Sequence, residues 1–268
     1  MTLSGIRTHI TIGGLEVMRC PEVVIDMHRH RPVSRAMVTL NDASGVVYGE
    51  VSRGDAVTIR LGYRNESPAV WAGAVRQVYG DGDQVIIQVA GVERAFTDNT
   101  VCQSFYEETP EAIVHFAIGQ TGLPAGQIDS PGVVFPRFVA SDIPVWQVVR
   151  QCEHTCQEAF GLDMSGWALW VDAAGEVNWG NFDEPGDIPA IATGAGLIKH
   201  TPHVVEYPHC LHMVETFLLA GFRHSQLFRI ADRRRGVEGA FRALTVTHRV
   251  TENQARTFIG YGEPGEKF

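Results

Sequence analysis

The sequence predicts a mainly β protein with an α+β insert, strand-rich at both ends with helices and a hairpin between. Three observations carry this prediction. The first hundred residues hold six short runs rich in Val, Ile, Thr and aromatics, several alternating apolar with polar. From residue 107 the apolar spacing becomes that of helices. The final third then returns to alternating runs.

Taken in order, Thr8–Ile12, Val23–Met27, Arg35–Leu40, Ala56–Tyr63, Ala69–Val78 and Gln84–Val89 read as strands. In Ala56–Tyr63 the side chains at 57, 59, 61 and 63 share one face, as a half-buried strand requires. Turn residues separate the runs: Gly13-Gly14, Asn41-Asp42, Gly54-Asp55, Asn65 to Pro68, and Gly80 to Asp83. The last of these is a hairpin signal. Short antiparallel strands at this spacing build a barrel or a sandwich.

Residues 107–119 read as a helix with Thr109 as N-cap, Pro110 at the first helical position and Gly119 or Gly122 at the end. A Pro- and Gly-rich stretch, Leu123 to Phe138, follows. A longer helix runs from Ser141 to Phe160 and stops at Gly161, with apolar residues at 145, 148, 149, 152, 156, 159 and 160. Trp167–Val171 and Glu176–Trp179 form a hairpin. After a loop rich in Pro and Gly, Leu227–Asp232, Arg242–Val250 and Ala255–Tyr261 are strands, with Arg233–Gly239 a loop. The expected division is a first β-barrel domain over 1–104, a helix and hairpin connecting region over 105–198, and a second β-barrel domain over 199–268.

Composition narrows the function. With 268 residues, 44% hydrophobic and 20% charged, the chain is an ordinary folded protein of about two domains. Its longest apolar runs, such as Phe217–Phe222, fall far short of the ~20 residues a membrane helix needs. The first fifteen residues lack the basic and apolar segments of an export signal. A formal charge of −9 opposes phosphate-backbone binding, so neither a membrane anchor nor sequence-specific nucleic-acid binding is expected. The basic clusters His28-Arg29-His30-Arg31 and Arg233-Arg234-Arg235 sit at turns and read as solvated loops. Five cysteines without a framework read as free thiols.

No nucleophile elbow, phosphate loop, dinucleotide fingerprint or His-Glu-x-x-His motif is present, so no enzyme, no catalytic residue and no cofactor is expected. The best metal candidate joins Cys152 and Cys156, at i and i+4 on a helix, to His209 and His212 as a tetrahedral zinc set. Against it, both cysteines lie on the apolar stripe of Val145, Val148 and Val149, where they serve as small core residues. His28 and His30 offer anion or metal ligation, or simply a strand end before Pro32. Of the five tryptophans, 71, 167, 170 and 179 fall on strands, and Trp146 falls off the helix stripe toward a neighbouring domain or subunit.

Arg53-Gly-Asp-Ala-Val-Thr-Ile-Arg-Leu-Gly-Tyr63, followed by Val70-Trp-Ala-Gly-Ala-Val-Arg-Gln-Val78, resembles a recurrent piece of phage baseplate hub proteins. Pro110–Gly122, Ile143–Phe160 and the hairpin after it look like that family's helices and hairpin. Ala243-Leu-Thr-Val-Thr-His248 loosely matches its closing strand. The family comprises the late control protein D and Mu-like tail hub groups of contractile phages, and the hub part of type VI secretion spike proteins is related to it.

The resemblance implies two tube-like antiparallel β-barrels per subunit and a homotrimer whose six barrels join a sixfold tail tube to a threefold central spike. It implies as partners the tail tube protein, a central spike protein and other baseplate proteins, in a virion baseplate assembled in the bacterial host cytoplasm. Nothing after residue 262 has room for a spike, so a separate spike protein is expected. The alternatives from other classes are a carbohydrate- or ligand-binding β-module and a tail-associated hydrolase. The module predicts a stable monomer with an exposed aromatic patch, and the hydrolase predicts a cleft with a perturbed carboxylate or a Cys/His pair.

Overall fold

The computed structural model describes residues 5–17, 22–64, 68–172, 174–181, 188–203 and 210–262. Its strands are β1 (Ile6–Ile12), β2 (Leu15–Val17), β3 (Glu22–His28), β4 (Arg35–Asn41), β5 (Ala56–Tyr63), β6 (Ala69–Asp81), β7 (Gln84–Gly91), β8 (Thr100–Glu108), β9 (Ala125–Ile128), β10 (Phe135–Pro144), β11 (Trp167–Val171), β12 (Val177–Asn181), β13 (Ala190–Thr193), β14 (Gly196–Pro202), β15 (His212–Phe217), β16 (Leu227–Asp232), β17 (Val237–Thr251) and β18 (Ala255–Tyr261). The helices are α1 (Val46–Glu50), α2 (Ala95–Asp98), α3 (Pro110–Gly119) and α4 (Val145–Phe160). The class is mainly β, with α3 and α4 inside the two stretches the sequence reads as helical, and α1 and α2 unforeseen. The chain forms two compact units, Met1–Gly91 with Gly186–Phe268, and Val92–Pro185.

The first unit is a 13-stranded sheet in the order β16-β13-β14-β15-β18-β17-β3-β4-β7-β6-β5-β1-β2. An additional β16–β17 pairing closes its first six strands into a barrel. The joint with the N-terminal strands is β17, which is 15 residues long. Along one edge, Val237–Arg242 pairs with β16 and Thr245–Thr251 pairs with β3, while the other edge pairs with β18. At ~3.3 Å per residue such a strand reaches ~50 Å, enough to close the barrel and continue into the next sheet. Ile10, Ile25, Ile59 and Ile87 from the N-terminal strands share one core with Val214, Phe228, Ile230 and Ile259 of the barrel. Fully burying each such side chain is worth roughly 1.5–3 kcal/mol.

The alternation in β5 is realised as expected, with Val57, Ile59 and Leu61 all buried. The hairpin between β6 and β7 turns at Gly82, whose φ of +61° suits glycine. The described strand pairings of this unit are antiparallel except at β13, which runs parallel to both β14 and β16.

The second unit holds a two-stranded ribbon, β8 with β10, and the sheet β11-β12-β9, in which β9 is parallel to β12. α3 and α4 bury Ile113, Val114, Ala117, Val145, Val148 and Val149 in its core. Thr109 caps α3 as expected, accepting the Ala112 N–H at 3.4 Å, with Pro110 at the first turn. α4 ends in an αL cap at Gly161 (φ +68°), whose N–H donates to Gln157 O at 3.0 Å.

Several expectations need correction. The long helix begins at Val145 rather than Ser141, because Pro144 holds Ile143 extended and residues 141–144 finish β10. Glu107 and Glu108 end β8 rather than begin a helix. The Leu123–Phe138 stretch contains β9 and the start of β10, and the loop before residue 196 contains β13. The expected domain boundaries after residues 104 and 198 fall inside β8 and β14, which are continuous strands.

Candidate functional site

The barrel interior carries polar side chains where apolar ones are usual. Asp232 at the end of β16 and His200 on β14 face each other with His200 Nδ1 2.8 Å from Asp232 Oδ2, both side chains 1% exposed. The Tyr261 hydroxyl at the end of β18 lies 2.8 Å from His200 Nε2. With Asp232 ionised and Tyr261 donating, the imidazole donates from Nδ1 and accepts at Nε2. In the barrel β13 separates β16 from β14, and β15 separates β14 from β18, so the chain of bonds ties strands that do not pair.

Burial acts to raise the Asp232 carboxyl. Hydrogen bonds from His200, the Arg235 guanidinium at 3.2 Å and the Arg234 N–H outweigh it and hold the group below its ordinary value. Tyr261 is pushed up to about 12 by burial and by the Asp232 charge. The Tyr–His–Asp chain links the ends of β18 and β16 to β14 through two hydrogen bonds inside the barrel. His212 packs on Tyr261 with ring centroids 5.0 Å apart.

A second buried histidine, His248 on β17, ties a loop to the barrel. The Leu219 N–H donates to Thr257 Oγ1, the Thr257 hydroxyl lies 2.9 Å from His248 Nδ1, and His248 Nε2 lies 2.9 Å from the Phe222 carbonyl. These partners fix a neutral imidazole that donates from Nε2 and accepts at Nδ1. Burial, reinforced by the Arg223 charge and opposed by the Phe222 carbonyl, pushes His248 down to about 4. It also lines a small recess with Arg223, Trp71 and apolar residues of β3, β5 and β6.

The residues singled out from sequence separate into these roles. Cys152 and Cys156 are buried in the core of the second unit. Burial raises both thiols, Cys156 to about 11 and Cys152 further still. His212 belongs to the core face of the first unit, while His209 lies outside the described residues. Among the described residues no group of three or more His, Cys, Asp or Glu side chains is placed to hold a metal ion.

His28 ends β3, and Arg29, His30, Arg223 and His28 surround His224, which burial and those neighbours push down to about 3. In the triple-arginine turn, Arg235 pairs with Asp232 while Arg233 and Arg234 are exposed. Trp179 is buried and donates from Nε1 to Glu153 at 3.1 Å, Trp71 donates to Ser34, and Trp146 lies half-buried under the Arg150 guanidinium. Glu153, Asp232 and His200 were not separable from other polar residues by spacing alone. Among the described residues no helix is long and apolar enough to cross a membrane.

No protein-family model matches the chain, and no curated protein matches it in sequence. Its fold recurs in solved structures. The 43 kDa tail protein of prophage MuSo2 from Shewanella oneidensis superposes with a TM-score of 0.74 at 10% identity, covering 97% of each chain. A tail protein from Neisseria meningitidis MC58 gives 0.68 at 10% identity, again over 97% of each chain. The E. coli c3393 protein, a type VI secretion component similar in structure to the T4 bacteriophage tail proteins gp27 and gp5, gives 0.63 at 9% identity over 96% of this chain and 77% of that one. The chain therefore shares the fold of these tail proteins, mainly β with a closed six-stranded barrel and further sheets.

Proposed function

We propose that the protein is a structural baseplate hub of a contractile phage tail or tail-like particle. In this reading three copies form a ring that joins a sixfold tail tube to a threefold central spike. The observation that carries it is the superposition with a prophage tail protein along 97% of both chains.

The polar side chains agree with a scaffold. Asp232, His200, Tyr261 and His248 are spent on each other and on backbone inside the barrel. The small recess beside His248 has room for about one water, which suits neither a sugar nor a peptide. The protein acts as an assembly part without catalysis, in the virion baseplate, with tube, spike and other baseplate proteins as partners. Immunogold labelling of induced tail particles with an antibody against this chain tests the reading. Label confined to one end of the tail is expected, and particles that assemble fully without the chain would refute it.

A further inference from the structure

We propose that the outer face of the β8–β10 ribbon, with the acids around it, docks on the arginine-rich first unit of a second copy of this chain. The ribbon's inner face is committed to the core, where Phe105 packs against Phe138 across the pair. Its outer face pairs Tyr106 with Arg137 and Ser104 with Val139. Tyr106 is 65% exposed and Val139 45%, and the Arg137 guanidinium lies over the Tyr106 ring. Among the described residues neither strand pairs with anything but the other. Two strands with apolar groups on the open face make an incomplete sheet, the kind of surface that partners cover.

Charge identifies the occupant. Of the chain's 31 acids and 22 Lys plus Arg, 14 acids and 3 Arg lie in Val92–Pro185, leaving 17 and 19 in the other unit. The formal charges are therefore −11 for the unit bearing the ribbon and +2 for the other. Glu107, Glu108 and Asp142 sit on the ribbon strands themselves. Two such faces brought together would repel, which excludes a twofold contact of ribbon with ribbon.

A basic surface is required, and the first unit presents one. Arg229, Arg233 and Arg234 are exposed in and after β16, on a turn fixed by Arg233 N–H to Thr193 and Arg234 N–H to Asp232. A contact between two different patches repeats from copy to copy and closes into a ring. The inference rests on the proposed ring for that closure.

The test is light scattering of the full chain in 50, 150 and 500 mM NaCl. Wild type is compared with Ser104→Arg/Glu107→Arg, with Arg233→Glu/Arg234→Glu, and with all four changes combined. Circular dichroism confirms that each variant is folded. Self-association that weakens roughly tenfold or more as salt rises, is lost in each double variant, and returns in the fourfold variant is expected. Association that is indifferent to salt or persists in the double variants overturns the inference while leaving the ring standing. Failure of the fourfold variant to recover overturns the pairing of these two patches, as does a chain that is monomeric at every salt. End-of-tail labelling judges the hub reading separately in each case.

Discussion

His248→Ala tests whether the barrel depends on a histidine kept neutral in its interior. Removing the ring leaves the Phe222 carbonyl and the Thr257 hydroxyl buried without their partner, at ~1–3 kcal/mol each, and opens a cavity. The sum is about 4 kcal/mol at pH 7. The wild-type value depends on pH because the folded imidazole is held down to about 4 against an ordinary 6.5. Below 6.5 the unfolded chain takes up a proton that the folded chain refuses, so stability falls as pH falls toward 4, by about 1.4 kcal/mol per unit.

At pH 5 the wild type has lost ~2 kcal/mol through this group, and the variant has lost nothing through it. The gap between the two should therefore shrink from about 4 to about 2 kcal/mol. Urea unfolding followed by tryptophan fluorescence at pH 7 and pH 5 measures it, and contributions from His224 and other groups cancel in the difference. A gap that stays constant between the two pH values would refute the neutral, doubly bonded imidazole.

Three further outcomes follow from the same structure. Tyr261→Phe removes only the hydroxyl that donates to His200 and should cost about 1–2 kcal/mol, whereas Asp232→Ala strands the His200 and Arg234 donors and should cost about 3; thermal melts that reverse this order contradict the polar brace. Gly73→Ala puts a methyl against the Ala90 carbonyl of the paired strand, backbone that cannot rotate away, and should lower stability by roughly 2 kcal/mol or more in the same assay. A thiol reagent should label exposed Cys102 in the native protein, and reach Cys152, Cys156 and Cys210 only after unfolding; prompt labelling of Cys152 or Cys156 would contradict their burial.

The strands read most accurately from sequence were those whose inward positions are apolar. β5, β11, β16 and β18 have the expected ends, since Val57, Ile59 and Leu61, or Phe228 and Ile230, mark the buried face by hydrophobicity alone. β14 and β15 escaped because their inward positions include His200, His212 and Thr216, whose burial depends on partners far along the chain. β8 escaped because only Val101 is fully buried in a strand otherwise open to solvent. The union of both chain ends in one sheet hangs on β17 changing partner midway, and local pattern contains no record of long-range pairing. The bland reading of Cys152 and Cys156 as core residues followed from the helical stripe and is what the structure shows. The Tyr–His–Asp chain has no such local signature.

The most direct test of the hub role is absolute mass in solution, by light scattering behind a sizing column across a dilution series, with negative-stain imaging of the same fractions. Three times the 29.5 kDa chain mass, with a ring outline, is the expected result. A strict monomer at every concentration, unchanged when spike and tube proteins are added, would contradict it.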